Sequence, residues 1–104
     1  MAIAGLSQSQ LDTLKANIRQ KESSNNYQVV NQLGYVGAYQ MGAASLVDVG
    51  YVDREAYNRA PKGPGWQKEF LADPNNWKTQ GGLQGYLNST SLQDQAYDSL
   101  TNRN

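Results

Sequence analysis

The chain is 104 residues long, enough for one small domain and too short for two. Nine basic and nine acidic residues cancel, so bulk charge draws it neither to nucleic acid nor to an anionic lipid membrane. It contains no histidine and no cysteine, which excludes Ser-His-Asp and Cys-His catalysis and every metal site built on imidazole or thiolate. No metal and no cofactor are expected, and acid–base work is left to carboxylates, Lys and Tyr. Ten Asn and eleven Gln supply most of the polarity. Such amides suit hydroxyl and N-acetyl partners, and equally an uncharged hydrophilic surface. The opening Met1-Ala2-Ile3-Ala4-Gly5-Leu6 has neither a basic start nor a long apolar run, so no secretory signal is read there.

The first element is a helix from Ser7 or Ser9 to Glu22. Ser7 with Gln10, and Ser9 with Asp12, fit a capping box, and Leu11, Leu14 and Ile18 follow at helical spacing. At about 100° per residue, Glu22 falls about 20° from Leu11, within that apolar stripe. Ser23-Ser24-Asn25-Asn26 ends the helix. Residues 27–31 and 35–39 read as short extended pieces around a turn at 32–34, a small β-hairpin that must lean on helices. Residues 41–49 return to helical spacing and stop at Gly50. Short helices are expected over 53–59, 66–72 and 83–87, with a turn at 73–76. Ser91 with Asp94 opens a last helix carrying Leu92, Ala96 and Leu100 on one face. The fold class is α+β, mainly α, as a single domain.

A carboxylate on the last turn of a helix, half surrounded by apolar groups, resists ionisation and can act as a general acid. Glycosidic bonds need that service, since the leaving oxygen must be protonated as the bond breaks. Glu22 fits by position, and so would any ordinary glutamate at a helix end.

Glu22-Ser23-Ser24-Asn25-Asn26-Tyr27, then Gly34, then Gly37-Ala38-Tyr39-Gln40-Met41, resembles the lysozyme-like superfamily, and within it lytic transglycosylases and phage-type muramidases. A Glu-Ser pair closes a helix in those proteins, and a Gly-x-(Met or Tyr)-Gln segment follows a short hairpin into the next helix. Trp77, Gly81-Gly82-Leu83, Tyr86-Leu87-Asn88 and Leu92-Gln93-Asp94-Gln95-Ala96 resemble the downstream part of phage-tail and secretion-associated members. The likeness spans residues 10–100. It implies a lysozyme-like helical domain with a β-hairpin beside a cleft, cleaving the MurNAc–GlcNAc β-1,4 bond of peptidoglycan.

The resemblance also implies roles. Glu22 is the catalytic acid. Ser23 contacts substrate or the acid itself, and Tyr39 and Gln40 line the cleft floor, with core packing an equal alternative for Tyr39. Gly37 permits close backbone approach, and Gly34 makes the turn. Tyr35 is the best sugar-stacking residue, Trp77 a weaker one. Lys62, Lys68 and Lys78 read as solvated charges.

No acidic residue lies between Ser23 and Val47, so the second carboxylate of a two-acid glycosidase is missing. That favours a one-carboxylate lytic transglycosylase, in which the muramic hydroxyl closes an anhydro ring. The alternatives are a muramidase with water guided by Asn31 or another amide, and a non-catalytic wall-binding module of a phage tail or secretion apparatus. The family's cleft has further helices beyond the position of Asn104, which implies either a compact member or the N-terminal part of a longer cleft. The implied partners are peptidoglycan glycan strands, with phage-tail or secretion components, or an immunity or inhibitor protein. The implied site of action is the periplasm or cell wall, reached through phage, holin or secretion machinery.

Overall fold

The computed structural model describes residues 7–101, and the opening hexapeptide with its missing signal features lies outside them. Helix α1 (Gln8–Ser23) begins as the sequence dictates. The Ser7 hydroxyl accepts from the Gln10 N–H at 3.1 Å, and the Gln10 side-chain carbonyl accepts from the Ser7 N–H at 2.9 Å. The helix closes where Ser24 turns left-handed, with the Ser24 and Asn25 N–H groups donating to the Gln20 and Arg19 carbonyls.

The inward face of α1 is rotated from the expected stripe. Leu11 and Lys15 are buried and Ser23 is half-buried, whereas Leu14 is 38% exposed and Glu22 is exposed. A step of four residues overshoots a full turn by about 40°. The line that faces the protein is therefore Leu11, Lys15, Arg19, Ser23. Its partner is α6 (Thr90–Thr101), which presents Asp94 and Asp98 one turn apart. Lys15 Nζ meets Asp98 at 2.7 Å, and Arg19 approaches Asp94 at 4.0 Å. The two pairings run in opposite chain directions, so α1 and α6 lie antiparallel, joined by charge where apolar contact was expected.

Four short helices complete the frame: α2 (Ala43–Asp48), α3 (Arg54–Arg59), α4 (Trp66–Ala72) and α5 (Gly82–Leu87), with a 3-10 turn at Pro74–Asn76. The molecule is mainly helical, as the periodicities predict. Asp53 caps α3 through the Ala56 N–H at 2.8 Å. The last helix departs from expectation at its start. Ser89 accepts from the Leu92 N–H at 3.1 Å, which makes Ser89 the capping residue in place of Ser91 and releases Asp94 for other partners.

Residues 27–41 form isolated antiparallel bridges, Val30 opposite Val36 and Val36 opposite Met41, where two strands were expected. Left-handed backbone at Gly34 (φ 90°), Gly37 (φ 76°) and Gln40 (φ 50°) interrupts the extended run before a ladder can form. Two of these kinks exist for close approach. A Cβ on Gly34 would lie 2.6 Å from the Lys68 backbone nitrogen, so this turn rests directly on α4. A Cβ on Gly37 would lie 2.3 Å from the Gln93 side-chain oxygen.

The core lies between this segment and α2, α4, α5 and α6. Its centre is Tyr86, fully buried, with Trp77 5.4 Å away and Tyr51 edge-on at 6.2 Å. The Trp77 indole N–H donates to the Leu71 carbonyl at 2.8 Å, which meets the demand of a buried polar group. Trp77 is therefore a core residue, 7% exposed, and its expected weak sugar-stacking role has no surface to act from. No helix among the described residues is long and apolar enough to cross a membrane.

Replacing Gly37 by alanine should destabilise the fold by about 2–4 kcal/mol, combining left-handed strain with overpacking against Gln93. Gly50 has similar backbone (φ 87°) and open space around it, so Gly50→Ala should cost only the strain, about 1 kcal/mol. Urea unfolding of both variants checks this, and equal losses would remove the steric role of Gly37.

Candidate functional site

Glu22, Asn31, Tyr35 and Gln40 come together as the walls of one depression of about 270 Å³. All four fall between positions 22 and 40, and what unites them is the way residues 27–41 fold back on the end of α1. Ser23 makes the join. Its hydroxyl lies 2.8 Å from the Ala38 carbonyl and 3.0 Å from that of Arg19, and it accepts from the Asn26 N–H at 3.2 Å. Ser23 thus fastens the helix end to the loop and so fixes the position of its neighbour Glu22.

The polar ends facing the depression follow from the bonds already made. Asn31 accepts the Leu33 and Tyr35 N–H groups on its side-chain oxygen at 2.9 and 3.0 Å, an Asx turn that leaves its NH2 group as the end able to meet a ligand. Gln40 donates its side-chain NH2 to the Gly37 carbonyl at 2.9 Å, which leaves its side-chain oxygen as an acceptor. One amide donor, one amide acceptor, a carboxyl group and a 38%-exposed tyrosine ring therefore share a small concave surface. Gln40 is also one of three described non-glycine residues at positive φ, a conformation that costs about 1–2 kcal/mol and clusters at functional sites.

Tyr39 and Gly37 stand behind the depression. Tyr39 is 6% exposed and stacks on Tyr97 at 4.5 Å, so of the two readings the core one describes its ring. Its hydroxyl accepts from Arg19 at 2.9 Å and donates to Asp94 at 2.8 Å. Tyr27 donates to the same Asp94 oxygen at 2.9 Å, and the Arg19 guanidinium lies 5.7 Å from each of the two ring centroids. Burial, and then the bond to Asp94, push both phenols above their ordinary value, Tyr39 furthest. Arg19 Nε also donates to Asn25 at 2.8 Å, so one side chain ties the helix end, the loop and α6 together.

Sequence reasoning missed the amides that hold this surface. Gln93, fully buried, accepts from the Ala38 N–H at 2.8 Å and donates to the Tyr27 and Tyr86 carbonyls at 2.8 and 2.9 Å. Gln67 accepts from the Ala43 N–H and donates to the Leu33 carbonyl, both at 2.8 Å. A signal for Gln93 existed: it sits three and seven residues before Ala96 and Leu100, on an otherwise apolar face.

A second, larger groove of about 670 Å³ was also missed, and Tyr35 borders it as well as the Glu22 depression. Its far wall holds Tyr57, Lys62 and Trp66. Lys62 is exposed, as a solvated charge should be, and its ammonium also donates to the Tyr57 and Ala60 carbonyls and lies 4.5 and 5.0 Å from the Tyr57 and Trp66 ring centroids.

The raised phenols predict a loss of stability on the alkaline side. Between the ordinary tyrosine value near pH 10 and the higher native values, the unfolded chain loses protons that the folded chain keeps, so stability falls as pH rises. It should stay level to about pH 9 and drop above about pH 10, more shallowly in Tyr39→Phe. Denaturant midpoints measured across that range check this, and identical slopes for the two proteins would show that Tyr39 carries none of it.

Compared with known family models, with characterised proteins and with solved structures, the chain matches none.

Proposed function

We propose that this domain is a lysozyme-like peptidoglycan-cleaving enzyme that cuts the MurNAc–GlcNAc β-1,4 bond, with Glu22 protonating the leaving oxygen. The observation that carries the reading is the convergence of Glu22, Asn31, Tyr35 and Gln40 on one depression. An N-acetyl group presents one amide C=O and one amide N–H. The Asn31 NH2 and the Gln40 oxygen offer the complementary donor and acceptor, and Tyr35 offers a face for the sugar ring.

Glu22 is the single carboxylate on this surface, which supports lytic transglycosylation, where the muramic hydroxyl attacks and no second carboxylate is required. The Asn31 oxygen is occupied by two backbone donors, which counts against a water guided by that atom. In the free protein Glu22 is open to solvent, so the reaction relies on the bound saccharide to displace water from the carboxyl group. The substrate places the reaction in the cell wall, with delivery by phage, holin or secretion machinery.

The same exposure of Glu22 favours a second reading, a wall-binding module without turnover. Glu22→Gln separates the two. As an enzyme, the variant should clear purified cell walls about 10²–10⁴-fold more slowly than wild type while still binding them. Turbidity loss measures the rate, and mass spectra should show anhydro-muramic ends. Equal rates would sink the catalytic role, and reducing ends would replace transglycosylation by hydrolysis.

A further inference from the structure

The two grooves that meet at Tyr35 carry opposite charge. On the depression side the ionisable group other than tyrosine is Glu22, and on the larger side it is Lys62, with no acidic residue among the lining. Beyond the 60–65 loop a third cavity is lined by Glu69 and Asp73, so Lys62 is a single cation between two surfaces that carry carboxyl groups. The cation is exposed to solvent but restrained. Two of its three N–H bonds go to carbonyls at the end of α3, and the Tyr57 and Trp66 rings flank it. A lysine bound in this way has given up much of its conformational freedom before any ligand arrives, so an anion reaching it meets a preorganised charge.

The volumes point the same way. Ligand sites commonly span about 300–1,000 Å³. The Glu22 depression alone, at about 270 Å³, falls short, and the neighbouring groove of about 670 Å³ brings the surface into that range. A ligand filling both passes over Tyr35. Anionic substituents on it find a cation at the Lys62 end and none at the Glu22 end.

We infer that the Tyr35–Trp66 groove is a specificity site for glycan stripped of peptide, with Lys62 as counter-ion to the lactyl carboxylate that is free only where the muramic sugar carries no peptide amide, and the Trp66 ring as an adjoining contact surface. The inference deepens the Glu22 reading and rests on it for the identity of the chain being bound. It predicts that the protein distinguishes a glycan bearing lactyl carboxylates from a neutral one of the same length, and that Lys62 makes the distinction.

The experiment uses the Glu22→Gln protein, so that ligand is not consumed, with two probes: an alternating GlcNAc–MurNAc tetrasaccharide without peptide, and chitotetraose. Binding is read from Trp fluorescence. Trp77 is buried with its N–H bonded to Leu71, so the responding ring should be Trp66, and Trp66→Phe should abolish the signal. The acidic probe should bind about two- to five-fold more tightly than the neutral one, the yield of a single exposed ion pair. Lys62→Met should bring the two affinities together by weakening only the acidic probe, and Lys62→Arg should keep the gap. Because Lys62 also holds the end of α3, the unmutated lysine gives an independent check: added salt should close the gap while leaving chitotetraose binding unchanged. Equal affinities at low salt, or a gap that survives both Lys62→Met and high salt, would overturn the inference. Failure of the catalytic reading looks different, with wild-type protein leaving cell walls intact while the Lys62-dependent gap persists.

Discussion

The Gln93 carboxamide holds together the part of this protein on which everything else rests. The 27–41 segment makes only single bridges, so most of its backbone N–H and C=O groups have no sheet partner, yet much of it is buried. An unmet polar group in such a place costs about 1–3 kcal/mol. A glutamine side chain ends in the same donor and acceptor as a peptide unit and substitutes for a missing strand. Gln93 does so for Ala38 and Tyr27, Gln67 for Ala43 and Leu33, and Asn31 for Leu33 and Tyr35. The glycine at 37 exists because Gln93 must come this close.

The same device sets the geometry of the candidate site. Because Gln93 anchors Ala38 from one side and Ser23 holds its carbonyl from the other, the loop has a fixed position against the end of α1. Glu22, one residue before Ser23, is then presented at the rim of a surface whose other walls belong to the loop. Asp94 adds a second tether through the two tyrosine hydroxyls and Arg19. None of these supporting residues reaches the depression, yet each fixes where its lining residues stand. That division matches a binding surface whose own side chains keep one hydrogen-bonding end for a ligand.

Electrostatics organises the molecule on two scales although its net charge is zero. Along the α1–α6 seam, Lys15 and Arg19 face Asp98 and Asp94, and this pairing rotates α1 so that its leucine at 14 turns outward. Across the grooves, Glu22 and Lys62 stand on either side of Tyr35. A neutral total therefore conceals a directional surface, and the direction is what a polar, asymmetric ligand could read.

The sequence by itself determined the local elements. The cap at Ser7, the stop at Gly50 and the helical periodicities predicted a mainly helical chain with its helices close to where they stand. Those signals act over three or four residues, so no distant partner is needed to interpret them. It also picked out Glu22, Asn31, Tyr35 and Gln40, which the fold gathers onto one surface. Only tertiary structure decided the rest. Whether 27–41 becomes a hairpin or an amide-held loop depends on Gln67 and Gln93, which lie far along the chain. Which face of α1 turns inward depends on Asp94 and Asp98, because a lysine or arginine is buried only where a carboxylate meets it. The outward position of Glu22 follows from those long-range choices, which spacing along a single chain does not encode.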